Sequence, residues 1–419
     1  MTKLKSSFLI LVIAEFIYNI SSYVINMGLG RMLGVAHYGR YSLVIGFTTM
    51  IILLVGRGIP TAMMKRISEN IGDWDKIRAI RKSSAHLQLI IIFSLTAIFY
   101  ILAPVIANIF NDATLTPLFR ISAFVIPAFA LSSFHVLYFN GLKYFKAMTA
   151  MKISRGIFRI LWIVGLAYFL KLDGAIYGSI LAPLSVFIVA MIIEHFFIKE
   201  EDNKSKTIQI YPYKKILQYA GGFMLFLVFY EFYVRTDMYM IKIITGSDES
   251  TGLYNAAYTI ALIPYYLMLA LTFILFPTMS DLTKKKDFTN VRSLLKKVIL
   301  FLFAVLIPTV IIMALIPEFL ITFFFGDKFI DSANLLPLML GGTLFATIFF
   351  VLASVFNGAN KTIIPATIAF IALLSSILAN IHFLPMYGTS ATAIIFSCTS
   401  AFMGLSIMFM TYIKFYKNK

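Results

Sequence analysis

The chain is short of the residues on which soluble chemistry usually rests: one cysteine, five histidines and 19 acidic residues in 419. A single Cys398 excludes a disulfide framework and reads as a small apolar packer. The histidines, at 37, 86, 135, 195 and 382, show no His-Glu-x-x-His or other ligand spacing, so they read as helix-end or interface residues. No metal and no cofactor is therefore expected. A Walker-type glycine loop is also missing, so the chain is not expected to hydrolyse ATP, and no other enzyme signature stands in its place. Charged residues make up only 13%. With 60% apolar residues and a mean hydropathy of +0.88, the polar surface is too small to cover a soluble globule, and lipid must cover it instead.

What is present is length of apolar run. About twelve segments reach the roughly 20 residues needed to cross a hydrocarbon core of about 30 Å. They lie near 8–29, 41–62, 84–108, 117–140, 150–170, 174–198, 218–244, 254–279, 295–316, 333–356, 363–384 and 388–413. A barrel would show alternating strands of about ten residues, so the spans are read as helices. The first lies behind Lys3 and Lys5 but is too long for a secretory leader and lacks a small-residue cleavage site, so it is expected to be retained.

A net charge of +17 would suggest nucleic acid in a soluble protein. Here the charge is sorted by side, which argues against that partner. If both termini are inside, inner segments hold 28 of the 36 lysines and arginines, and outer turns hold only Arg31, Arg40, Arg120, Lys171, Lys242 and Lys328. That is the positive-inside pattern of a cell (plasma or inner) membrane protein with cytoplasmic termini. The inner segment 63–83 reads as an amphipathic surface helix. Segment 199–217 is polar and aperiodic, and is expected to link an N-terminal lobe, 1–198, to a C-terminal lobe, 218–419.

The two lobes repeat one another. Glu15-Phe16 returns as Glu231-Phe232, Gly30 as Gly246, Tyr38 as Tyr254, and Pro60-Thr61 as Pro277-Thr278. Phe139-Asn140-Gly141 returns as Phe356-Asn357-Gly358, and Phe110-x-Asp112 as Phe325-x-Asp327, all at a shift of 215 to 217 residues. Six helices per copy is an even number, so the repeats are expected to be parallel, an arrangement found in transporters. The fold expected is thus all-α and polytopic, with about twelve transmembrane helices in two parallel six-helix repeats.

Polar residues inside the spans are the candidate site. Glu15, Asn19, Ser22 and Asn26 fall on one helical stripe, and Glu231, Arg235 and Lys242 repeat it in the second copy. Ionised groups in a bilayer normally face a cavity or a partner. Two readings stay open for Glu231 and Arg235: an i,i+4 ion pair between helices, or the lining of a cavity onto which both stripes face. Asp237 lies about 160° around the helix from Arg235 and must find another neighbour. Of the basic row Lys152, Arg155 and Arg159, the first two are expected to reach headgroups. Arg159 lies two turns deeper, and it and Arg57 are further candidates for phosphate, which the planar guanidinium fork suits.

Several motifs resemble the polysaccharide (Wzx-like) flippases of the multidrug/oligosaccharidyl-lipid/polysaccharide (MOP) exporter superfamily. They are Leu33-Gly34-x-x-x-Tyr38-Gly39-x-Tyr41, Phe139-Asn140-Gly141, Asp173-Gly174-Ala175, Arg235-x-Asp237, Gly252-x-Tyr254-x-x-Ala257 and Phe325-Gly326-x-x-Phe329-x-x-Ala333. The resemblance implies two six-helix lobes around a cavity, and alternating access that moves a polyprenyl-diphosphate-linked oligosaccharide to the outer leaflet. Arg235, Lys242, Arg159, Arg57, Glu15, Asn19 and Asn26 would face that substrate, with Glu231 and Asp237 as coupling or ion-pair groups. Membrane lipid, and a glycan polymerase or glycosyltransferases of the same pathway, are the implied partners. Relatives that handle peptidoglycan precursor have extra terminal helices, which the twelve runs here do not include. The alternatives are a MATE-type cation-coupled drug exporter, which would use Glu15, Glu231 or Asp237 for coupling, and a membrane glycan polymerase or glycosyltransferase. The short outer turns leave little room for the catalytic loop of the latter.

Overall fold

Long apolar stretches interrupted by glycine, proline and capping aspartate give long helices with defined ends. The computed structural model describes residues 2–197, 211–213, 216 and 221–417. Among the described residues there are helices and no strands. The first part of the chain holds α1 (Thr2–Arg57), α2 (Ile59–Glu69), α3 (Trp74–Ile109), α4 (Thr116–Ser122), α5 (Val125–Gly141), α6 (Phe145–Arg159) and α7 (Gly165–Phe197). The second holds α8 (Gly221–Thr245), α9 (Asp248–Ala261), α10 (Ile263–Lys284), α11 (Phe288–Leu315), α12 (Pro317–Phe325), α13 (Leu336–Gly358), α14 (Ile363–Tyr387) and α15 (Thr389–Thr411).

Two helical runs are long enough for two crossings each. At 1.5 Å per residue, the 56 residues of α1 extend about 84 Å, more than twice a hydrocarbon core. Gly34, at φ 75°, breaks α1 into two helices. The helical run Phe145–Phe196 has 52 residues and is divided by Lys171 at φ 53°. Among the described residues, seven helices are long and apolar enough to cross a membrane by length and composition, that run among them. With the divided runs counted as pairs, the chain is an all-α protein of about twelve spans in two six-helix repeats.

The repeat is visible in how helices end. At the end of α5, Tyr144 N–H bonds to Phe139 O at 2.9 Å, and Lys143 takes φ 62°. At the end of α13, Lys361 N–H bonds to Phe356 O at 2.8 Å, and Asn360 takes φ 59°. Each is a left-handed cap that satisfies the last carbonyls of its helix. The glycines of these two motifs also do the same job, since a side chain on Gly141 would meet Met64 O and one on Gly358 would meet Phe276 O. Asp73 caps α3 through Lys76 N–H, and Asp287 caps α11 through Asn290 N–H.

Two of the expected equivalences shift. The glycine with φ 68° at Gly246 is matched by Gly34, not by Gly30, which lies within α1. Gly141 meets Ile67 and Gly358 meets Met279, which sets the register there at 212 residues, so Pro60 and Pro277 are five residues out of step. Proline at both places records helix chemistry at separate points, at the start of α2 and within α10.

The chain forms two compact units, one of residues 1–33 and 41–224, the other of residues 34–40 and 225–419. Most of the expected linker 199–217 lies outside the described residues. In the first unit α2 packs its buried Met63 and Ile67 with Ile77 and Ile80 of α3 and Phe134, Tyr138 and Phe139 of α5. This places the amphipathic segment in a protein core on one face. Segment 34–40 packs in the second unit although it comes from the first repeat. Gly39 lies against Asp248 O and Gly252, Gly252 lies against Val35 O, and Tyr38 is fully buried against Phe325 and Phe329.

Candidate functional site

In the first unit the polar stripe of α1 meets the arginine predicted for depth. Arg159 Nη1 donates to Ser22 Oγ at 3.0 Å and to Ser21 Oγ at 3.4 Å, and its guanidinium carbon lies 4.8 Å from the Tyr18 ring centroid. The last residue of α6 is Arg159, and the next five residues, Ile160–Val164, form a π turn. Such widened turns are rare and tend to occur where function requires them. Asn26 lies two turns from Tyr18 and donates to Ser22 O at 2.8 Å; Asn19 is half-buried on the same helix. The side chains of Glu15 and Arg57 lie outside the described part of the chain. Arg155, expected to reach headgroups, instead donates to Ser132 Oγ at 3.1 Å and sits 4.8 Å from the Phe129 ring. A polar acceptor and an aromatic face on α5 are close enough to hold it inside the unit.

A second cluster in this unit was not legible from sequence. Glu194 of α7 pairs with Arg81 of α3, and His135 of α5 lies 3.4 Å from the same carboxylate. Arg81 also lies 4.6 Å from the Tyr138 ring centroid. The histidine is thus an interface residue, as its isolation in the sequence suggested, but its partners stand more than 50 residues away on either side.

In the second unit, Arg235 Nε lies 3.5 Å from Glu231 Oε2, so the i,i+4 pair forms. The arginine side chain keeps 28% exposure, although its Nε is itself buried and the contact to Glu231 is longer than a hydrogen bond of good geometry. Tyr239, Tyr258 and Tyr266 stand within electrostatic reach of it. Tyr230, Tyr265 and Phe350 pack beside this group, with ring centroids 5.1 and 5.2 Å apart. The arrangement presents a cation and several phenol edges together, a surface that can donate to phosphate or sugar oxygens.

Asp237 points away from that group, as the helical phase required. It is 3% exposed, and it accepts from Ser376 Oγ at 2.8 Å, Asn380 Nδ2 at 2.9 Å and Tyr254 Oη at 3.0 Å. Thr392 in turn donates to Asn380 Oδ1 at 2.9 Å. Among the described residues no lysine or arginine pairs with this carboxylate. Ser376, Asn380 and Thr392 lie about 140 to 155 residues downstream on α14 and α15, without a local motif to mark them.

Lys242 occupies a different place from its stripe partners. It is 2% exposed, and its Nζ donates to Asp248 Oδ1 at 2.7 Å and to Gly246 O at 3.1 Å. Arg40 Nε reaches the other carboxylate oxygen at 2.8 Å. The helical phase set Lys242 on the stripe, but α8 ends three residues later, so its ammonium is committed to the turn that follows. Among the described residues no cluster of three or more histidine, cysteine or acidic groups could hold a metal ion.

The whole chain is similar in fold to known transporters, and its sequence decides the family. A profile described as "Polysaccharide biosynthesis protein" matches residues 4–283. The chain belongs to the polysaccharide biosynthesis protein family. A second profile, described as MatE, matches residues 222–382. The chain is 25% identical over 283 residues to a putative O-antigen transporter of Shigella flexneri, a match covering 67% of this chain and 66% of that protein. It is 22% identical over 385 residues to an uncharacterized membrane protein of Methanocaldococcus jannaschii, covering 85% and 73%. Among solved structures, the lipid II flippase MurJ in an inward closed conformation superposes with a TM-score of 0.76 at 18% identity, covering 96% of this chain and 87% of that one. An inward-facing MATE multidrug transporter gives 0.70 at 13% identity, covering 98% of each chain. This family member is a multi-pass membrane transporter of the MOP superfamily.

Proposed function

We propose that this chain is a flippase that carries a polyprenyl-diphosphate-linked oligosaccharide from the cytoplasmic to the outer leaflet by alternating access, for synthesis of a cell-surface polysaccharide. The family match supports the pathway, and the charge asymmetry supports cytoplasmic termini. The observation that carries the substrate chemistry is Arg235, a half-buried arginine beside Glu231 and among tyrosines, whose buried Nε has no hydrogen-bond acceptor among the described residues. In this reading Arg235, Arg159 and Arg57 donate to the diphosphate, and Glu15, Asn19 and Asn26 contact sugar hydroxyls. Lys242 holds the turn after α8, and would meet substrate only if its bond to Asp248 opened. Lobes 1–198 and 218–419, joined by 199–217, are the two repeats in this reading. Glycosyltransferases and a polymerase of the same pathway would supply and consume the substrate.

The test is lipid-linked glycan flipping in reconstituted vesicles. Arg235→Ala abolishes translocation at unchanged protein abundance, because the phosphate loses its forked donor. Unchanged flipping by this variant overturns the assignment. One observation favours a second reading, a cation-coupled exporter: the Asp237 carboxylate meets three neutral donors and no described cation. Uptake of a cationic dye into inverted vesicles that requires Asp237, together with absence of lipid-linked glycan flipping, would select that reading.

A further inference from the structure

A groove unrelated to the polar clusters runs along the second unit between α11 and the end of the chain. Its walls are two helical stripes, Leu300 and Phe303 on α11, and Met408 and Tyr412 at the end of α15 and the start of the π turn that follows. Lys296 and Tyr416 stand at its mouth. Positions 296, 300 and 303 share one helix face, as do 408, 412 and 416, so the groove follows both helices for about 10 Å. The mouth is a built feature. Arg292 Nε donates to Phe415 O at 2.8 Å and Tyr416 Oη donates to Arg292 O at 2.9 Å, while the Tyr412 and Tyr416 rings stack 6.2 Å apart.

The charged residue in the lining is Lys296, which is exposed. The turn that carries Tyr412 and Tyr416 is itself basic: Lys361 lies 5.0 Å from the Phe415 ring centroid, and Lys414 is near enough to Lys361 to disfavour its charged form. Burial is the larger cause of that lowered lysine pKa, and the Lys414 charge adds to it. Among the described residues no carboxylate pairs with Arg292, Lys296, Lys361 or Lys414. An apolar channel that ends at an uncompensated lysine beside a basic turn, at the end of the helices the charge asymmetry assigns to the cytoplasm, matches one kind of occupant. We infer that this groove binds an anionic glycerophospholipid of the cytoplasmic leaflet, with an acyl chain between α11 and α15 and its phosphate at Lys296 and the Tyr416 turn.

The lipid would brace the π turn against α11 from outside, as the Arg292 bonds do from within. Binding is independent of the transported substrate. The test uses the full chain in phosphatidylcholine vesicles with one tryptophan in the groove, Leu300→Trp, after Trp74→Phe and Trp162→Phe. Quenching by brominated phosphatidylglycerol should exceed quenching by brominated phosphatidylcholine. Lys296→Gln should reduce that preference about fivefold, the factor that corresponds to one juxtamembrane cation. A tryptophan at Ile311, farther along α11, should show no preference. Native mass spectrometry of the otherwise unmodified protein gives a second readout, in which a retained phosphatidylglycerol adduct disappears with Lys296→Gln. Equal quenching by the two lipids, a preference that survives Lys296→Gln, or the same preference at Ile311 would each overturn the inference. Displacement by a polyprenyl phosphate at concentrations where phosphatidylglycerol fails would overturn it too, by making the carrier lipid the occupant.

Discussion

Asp237 offers the sharpest separation of structure from function. Its carboxylate is the acceptor for three buried donors, Ser376, Asn380 and Tyr254. Removing the acceptor with Asp237→Ala leaves those donors to find others, at roughly 1–3 kcal/mol for each one left unsatisfied. Asn380 also donates to Ser376 O at 2.9 Å, so part of its loss is recovered. The expected destabilisation is about 3 kcal/mol, read as a lowered midpoint in thermal unfolding of the detergent-solubilised protein. Asp237→Asn keeps an oxygen acceptor for Ser376 and Asn380, and the Tyr254 hydroxyl can turn to accept from the new amide. Its cost should stay near 1 kcal/mol. If Asp237 is a coupling group, transport in vesicles is lost in both variants, because the amide cannot carry a proton or balance a cation. Wild-type transport by Asp237→Asn would reduce the residue to a structural acceptor. Wild-type stability of Asp237→Ala would refute the hydrogen-bond reasoning itself.

Other outcomes follow from the same geometry. Asp248→Ala should cost about 3 kcal/mol, because Lys242 stays buried, keeps its bond to Gly246 O and loses its carboxylate partner, and adding Lys242→Met should restore much of that stability in the same unfolding assay. Gly252→Ala should abolish folded protein, since the new Cβ would stand 2.2 Å from Val35 O. Gly34→Ala meets nothing within 4 Å and should cost only the strain of its positive-φ, extended-ψ conformation, about 1–3 kcal/mol; comparing yields of the two by size-exclusion chromatography separates contact from conformation. Asp73 and Asp287 have lowered pKa values, the first through the Lys76 side chain and backbone N–H, the second through the Asn290 side chain and N–H. A lowered folded-state pKa adds stability above the ordinary carboxylate range that disappears as pH falls through the lowered values. The double variant Asp73→Ala, Asp287→Ala should therefore show a flatter loss of stability on acidification, and an unchanged acid limb would contradict the capping role.

Much of this protein was legible in the sequence because the bilayer imposes a simple rule. Continuous apolar length sets the spans, and the recurrence of Phe139-Asn140-Gly141 at Phe356-Asn357-Gly358 reports two helix ends that make the same cap and the same close approach. Helical phase set Glu231 within reach of Arg235, leaving ion pair and cavity lining both open, and turned Asp237 away, since those relations lie within one helix. Phase placed Lys242 on the stripe but gave no warning that α8 stops three residues later and that Asp248 claims its ammonium.

Only tertiary structure decided the partners that lie far apart in the chain. Ser376, Asn380 and Thr392 gather at Asp237, and Arg81 and His135 at Glu194, through packing of helices whose contact faces have no fixed spacing in sequence. The placement of residues 34–40 in the second unit, with Gly39 against Gly252, is of the same kind. A glycine in a turn motif shows that backbone can come close, and the fold alone says which backbone does. The sequence by itself determined the membrane, the span count, the duplication and the helices that carry the polar residues, because each depends on local periodicity. Which polar residues face each other depends on how the helices pack, and that is fixed only when every helix is in place.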